Sequence, residues 1–206
     1  MSTIAPSAGT LAAEALFPSA HAAATFAYRF STQQYGKSAM AILMAGPTST
    51  GKGLGGIDGA AQAGMIRRLV SGLGPLHESI IMARFLPRTL SCACGSACCS
   101  GVAPNLEWRA AVRRIADMAL TYTPACVSSM QLRMGVVAKH FGEPVELGAL
   151  ADRCMVHRNT ASKHAGLILR WLRGHPARHG RPAEVGEEDQ AQQRLADVLA
   201  AAGLVA

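Results

Sequence analysis

The sequence predicts an all-α protein: a helical bundle with a C-terminal trihelical helix-turn-helix and a Cys-rich loop. Three observations predict it. Apolar residues recur at helical steps of three and four over residues 104–122 and 126–141. Residues 147–173 read as a short helix, a tight turn and a longer basic helix. Half of the 206 residues are hydrophobic but only 5% are aromatic, and Ala and Gly are plentiful. That composition suits helices packed closely through small side chains, flanked by looser segments.

Residues 1–57 form a Ser/Ala/Pro-rich segment expected to be poorly ordered or loosely packed, with short helices at 12–17 and 22–30. The Ala-rich stretch 11–24 ends like a small-residue cleavage site. However, Glu14 interrupts it and no Lys or Arg precedes Arg29, whereas a secretory leader starts positively charged. The expected compartment is therefore the cytoplasm, where the six Cys are thiols or metal ligands in preference to disulfides. No apolar run approaches the roughly 20 residues that span a bilayer, so no membrane partner is expected. Residues 46–53 have the G-x-x-x-x-G-K spacing of a phosphate loop. Gly53 stands where Ser or Thr should hold Mg²⁺, and further glycines follow where a helix should begin. A flexible linker is the simpler reading, and a nucleotide hydrolase acting through Lys52 is the rival.

Residues 58–103 predict a helical hairpin followed by the Cys-rich loop. Asp58 caps the first helix, and Ala61, Met65, Ile66 and Leu69 line one face. Pro75 opens the second helix, which carries Leu76, Ile80, Ala83 and Phe85 and ends before Pro87. Cys92, Cys94, Cys98 and Cys99 then fall within eight residues. Four thiolates suffice for a tetrahedral zinc site. The spacing is not that of two C-x-x-C pairs, and the adjacent Cys98 and Cys99 point in different directions. His77 or Cys126 are therefore candidates to replace one of them. Unmetallated thiols, or a disulfide or redox role, remain alternatives. A catalytic zinc is disfavoured because no nearby carboxylate or His is placed as a base.

Residues 104–174 predict the helix-turn-helix domain. Asn105 caps a helix whose Trp108, Val112, Ile115, Ala119 and Tyr122 share a face, with Pro124 closing it. Val127, Met130, Met134, Val137 and Phe141 mark the next helix, stopped by Gly142 and Pro144. The shorter helix, Glu146 to Cys154, turns Leu147, Leu150 and Cys154 inward, with Ala151 at a close crossing. Met155 occupies a turn position expected to be left-handed, where glycine is usual, and Val156 plugs the core. The last helix runs to Arg173, with Ala161, Ala165, Ile168 and Trp171 or Leu172 inward. His157, Arg158, Asn159, Thr160, Ser162 and Lys163 lie at its N-terminal end, which meets base edges in this geometry. Arg158 suits guanine and Asn159 adenine. Lys163, Arg170 and Arg173 suit phosphate. An ordinary helical hairpin with a basic face is the bland alternative, in which Cys154 and His164 simply pack.

Residues 175–206 predict a linker and a C-terminal amphipathic helix. Glu187, Glu188 and Asp189 favour its N-terminal dipole. Leu195, Val198 and Leu199 lie on one side, which packs on the body or pairs with another subunit as an oligomer.

The net charge of +7 is localised. Residues 104–182 hold 12 basic and 5 acidic side chains, while the rest of the chain holds 8 of each. The whole excess therefore surrounds the basic helix, as double-stranded DNA binding requires.

The run Cys-x-Cys…Cys-Cys-Ser-Gly at 92–101, Pro-Asn-x-Glu-Trp at 104–108 and a C-terminal helix-turn-helix ending in Trp-Leu carry a resemblance. Over residues 58–173 the chain resembles small DNA-binding proteins of phages and prophages of Gram-negative bacteria, including the late-gene antiterminator Q group. The resemblance implies a transcription regulator in the host cytoplasm, acting on phage DNA and engaging RNA polymerase. In it, Cys92, Cys94, Cys98 and Cys99 match the metal-binding segment. The expected function is sequence-specific regulation without catalysis. The alternatives are a metal-dependent nucleic-acid enzyme and a nonspecific nucleic-acid-packing protein.

Overall fold

Caps, glycines and prolines set most of the element boundaries. A computed structural model describes residues 15–35, 56–92, 94, 96, 99–123, 129–177 and 182–205. The phosphate-loop lookalike at 46–53, Cys98, Pro124, Cys126 and Val127 lie outside these. The described residues are mainly helical, with eight helices and two small antiparallel strand pairs. No helix among them is long and apolar enough to cross a membrane.

Helix α1 spans Ala20–Tyr35 and α2 spans Gly56–Ser71. Loose packing was expected here, yet one face of α1 belongs to the core. Ala23, Ala24, Ala27 and Tyr28 are buried. Phe17 donates its amide to the Leu204 carbonyl at 3.0 Å and so ties the segment before α1 to the C-terminal tail. The face of α2 also differs from expectation. Ala63, Ile66 and Val70, at steps of three and four, point inward, whereas Ala61 and Met65 are exposed. Asp58 lies inside the first turn, where it favours the dipole but does not cap.

Helix α3, Pro75–Phe85, begins at proline as expected and is the central element. Leu76, Ile80, Ala83 and Phe85 are buried as predicted, but so are His77, Ser79 and Ile81. Burial on several sides follows because α1, α2, α4 and α8 all pack on it. Fully burying Ile80 and Ile81 contributes about 2 kcal/mol each.

The Cys-rich loop is flanked by a pair of short strands. Strand β1, Thr89–Ser91, pairs with β2, Val102–Pro104. Asn105 then accepts the amides of Glu107 (3.0 Å) and Trp108 (3.4 Å) and starts α4, Leu106–Tyr122. Trp108 donates its indole N–H to the Ala83 carbonyl at 2.9 Å, locking α4 onto α3. Val112, Ile115 and Ala119 are buried as predicted. Tyr122 is 54% exposed because its ring stacks on Trp171 at 5.4 Å and does not enter the core.

Helix α5, Met130–His140, is capped by Ser129. Val137 and Phe141 are buried as expected, but Leu132 and Val136 are buried too, while Met130 and Met134 pack only partly, so the core face is rotated from the expected one. Gly142, at φ 92°, stops it as predicted. Helix α6 spans Leu147–Arg153 and α7 spans Arg158–Arg173. The expected linker forms a small hairpin, β3 (Gly174–His175) with β4 (Glu184–Val185). Gly174 and Gly186 make it possible, since a Cβ at Gly186 would lie 2.2 Å from the Arg173 carbonyl carbon. Helix α8, Glu187–Ala201, lays Ala191, Leu195 and Leu199 on the body of the chain. One hydrophobic core runs from Phe17 to Val205.

Candidate functional site

Helices α5, α6 and α7 pack on one another, with α6 joined to α7 by four residues. Leu150 and Ala151 of α6 are buried, while Leu147, Cys154 and Val156 pack partly against the core. Gly135 of α5 admits α6: a Cβ there would lie 2.4 Å from Leu150 Cδ2. Met155 has φ 53°, the only positive φ at a non-glycine among the described residues, and is 95% exposed. Left-handed backbone was expected there, and an L side chain tolerates it at a cost of about 1–2 kcal/mol.

In α7, Ala161, Ala165, Ile168 and Leu172 are buried, and Trp171 is partly so. On the opposite side Asn159, Lys163, Gly166 and Arg170 are exposed. At about 100° per residue they form one stripe along the helix. No Asp or Glu occurs anywhere in α7. Lys163 and Arg170 form no ion pair within the described residues.

The other expected contact residues have local duties. His157 caps α7, its Nδ1 accepting the Asn159 amide at 3.2 Å. Arg158 donates to Asp152 of α6 at 2.9 Å. That hydrogen bond, then the Asp152 charge, pushes the Arg158 guanidinium above its already high range. Both partners are well exposed, so the pair contributes little and is easily exchanged for another anion. Thr160 and Ser162 are exposed. Arg173, expected at phosphate, donates its Nε–H to His140 Nδ1 at 3.1 Å.

This last contact belongs to a network that periodicity did not reveal. Arg Nε can only donate, so His140 Nδ1 accepts and Nε2 carries the hydrogen. Nε2 then donates to Glu188 of α8 at 2.7 Å, and Arg84 of α3 also donates to Glu188. A parallel chain links Arg194, His77 and Glu187 at 3.1 and 3.0 Å. Burial alone would raise the Glu188 carboxyl. The hydrogen bonds from His140 and Arg84, and the Arg84 charge, outweigh burial and hold it below the ordinary carboxylate range. The C-terminal end of α7 is thereby fixed against α5 and α8. An acidic triplet opening a helix was the only sequence signal, and it suggested the dipole alone.

The hairpin tip brings Cys92, Cys94 and Cys99 together, their sulfurs all within 4.8 Å of one another. The Cys92 amide donates to the Gly101 carbonyl at 2.9 Å and closes the hairpin end. The Ser96 amide, then the Cys99 and Cys92 thiols, hold Cys94 below the usual thiol range. At Cys99 the Gly101 amide pulls downward, but Cys94 and Cys92 prevail and push it up. Cys94 therefore ionises ahead of Cys99. These three cysteines can hold a metal ion; no carboxylate or His joins them among the described residues. Arg88 at the hairpin base donates to the Gly142 carbonyl, anchoring it beside the end of α5.

No protein-family model matches the chain, and comparisons with curated proteins and with solved structures returned no match.

Proposed function

We propose that the chain is a sequence-specific DNA-binding transcription regulator, with α5, α6 and α7 acting as a trihelical helix-turn-helix. One observation carries the reading: α7 is free of acidic residues and exposes Asn159, Ser162, Lys163 and Arg170 opposite its buried side. In a major groove such a stripe meets base edges near its start and phosphates further along. Asn159 offers the bidentate amide that suits adenine. Lys163 and Arg170, having no intramolecular partner among the described residues, lose no ion pair on reaching phosphate. Arg158 reaches guanine by leaving Asp152. The left-handed turn at Met155 is the further support.

Zinc is the proposed occupant of the cysteine hairpin. Three clustered thiols fit its preference for sulfur. Its role there is structural. The resemblance to phage antiterminators extends the reading to action on RNA polymerase, measurable as terminator read-through in purified transcription.

The test is duplex binding by the Arg158→Ala, Asn159→Ala, Lys163→Ala variant. Loss of specific binding with an unchanged helical spectrum is expected. Unchanged binding would overturn the assignment. Cleavage of DNA on adding a divalent metal would favour a nuclease, and binding without sequence preference would favour packing. Metal analysis of the purified protein tests the zinc, with about one equivalent expected and none contradicting it.

A further inference from the structure

A groove of about 670 Å³ lies between α4, α5, α6 and the segment after α5. Its size falls in the range of about 300–1,000 Å³ typical of small-molecule sites. Trp108, Met134 and Leu150 supply apolar walls. Gly135 and Ala138 of α5 line it as well.

The rim is charged. Arg109 of α4 and Arg153 of α6 line it, with Glu143 as the one carboxylate. Both arginines are exposed, and neither has an ion-pair or hydrogen-bond partner among the described residues. Two guanidiniums against one carboxylate leave one positive charge over a cleft whose walls are partly apolar. An apolar body topped by a single planar anion complements that arrangement. A carboxylate accepts two parallel N–H bonds from a guanidinium, which an uncharged amide cannot.

We infer that this groove binds a small carboxylic acid with an aromatic or aliphatic body, its carboxylate held by Arg109 and Arg153 and its body against Trp108 and Leu150. The site is separate from the exposed stripe of α7 and does not depend on DNA binding. Two of its contacts lie on α6, so an occupant braces α6 against α4.

The test is calorimetric titration of the full chain with 4-phenylbutyrate and, in parallel, with 4-phenylbutyramide, following tryptophan emission as a second readout. Saturable binding of the acid is expected, with the amide at least about tenfold weaker. The Arg109→Gln, Arg153→Gln variant should weaken the acid by about the same factor and abolish the preference over the amide. Both side chains are exposed, so the thermal melt should be unchanged. The acid-amide comparison in the unaltered protein stands even if the variant folds poorly. No saturable binding, equal affinity for acid and amide, or a folded variant that still prefers the acid would overturn the inference.

Discussion

Glu188 offers a quantitative test of how α7 is held. Its carboxylate is buried, receives Nε2–H of His140 at 2.7 Å, and also receives Arg84. Deleting one partner of a buried ionic pair costs about 3–5 kcal/mol when the other charge is stranded. Arg84 is 39% exposed and recovers hydration, which lowers that figure. His140 is only 3% exposed, and an unpaired buried donor there costs about 1–3 kcal/mol. Glu188→Ala should therefore destabilise by about 2–4 kcal/mol. Glu188→Gln keeps an acceptor oxygen and should lose about 1–2 kcal/mol. Urea unfolding followed by far-ultraviolet circular dichroism at pH 7 measures both. A loss under about 1 kcal/mol for the alanine variant would refute the network's role. The pH dependence has a fixed sign. The folded carboxyl titrates below its ordinary value, so its contribution is complete above the ordinary carboxylate range and is lost as pH falls through the lower folded value. The gap between the natural protein and Glu188→Gln should close on acidification. A gap independent of pH would contradict the depressed carboxyl.

Met155→Gly relieves a left-handed residue that is 95% exposed. Relief of about 1–2 kcal/mol, less the added unfolded-state entropy, should raise stability by about 0.5–1 kcal/mol in the same unfolding assay. Gly186→Ala puts a Cβ 2.2 Å from the Arg173 carbonyl carbon and 2.4 Å from the Gly174 nitrogen. Backbone on both sides cannot yield as a side chain would, so a loss of about 2–3 kcal/mol is expected. Lys163→Ala should lower the slope of log affinity against log salt by about 0.9, and Arg170→Ala likewise, if each neutralises one phosphate.

Much of the helical framework was legible because it rests on local physics. Asn105, Pro75, Gly142 and Gly174 mark boundaries through capping, missing donors and positive φ, and each is found at its expected boundary. The inward set of α7 was legible from its period. What failed depended on distant partners. Ala23, Ala24 and Ala27 read as a loose Ala-rich lead, yet their small size is what lets α1 sit on the core. Met130 and Met134 shared the period of the true core positions, but α5 is rotated toward Leu132 and Val136 by its contacts with α4 and α7. The ion chains through His77 and His140 join residues more than 30 positions apart, beyond any local pattern. At the candidate site, the helical pattern kept Asn159, Lys163 and Arg170 off the inward face, and they are exposed. It did not show that His157 is a cap or that Arg158 and Arg173 are engaged. Three of the four clustered cysteines do converge, on a hairpin whose short strands gave no alternating signal.

Selection of bound duplexes from a random DNA pool, at about 0.15 M salt, where the Debye length is about 8 Å, tests the central claim most directly. The account predicts a single enriched motif for the natural protein. It also predicts that Asn159→Ala relaxes the preference at one adenine-containing position while leaving the rest of the motif intact. No enrichment by the natural protein, or an identical motif from the Asn159→Ala variant, would contradict base readout by α7.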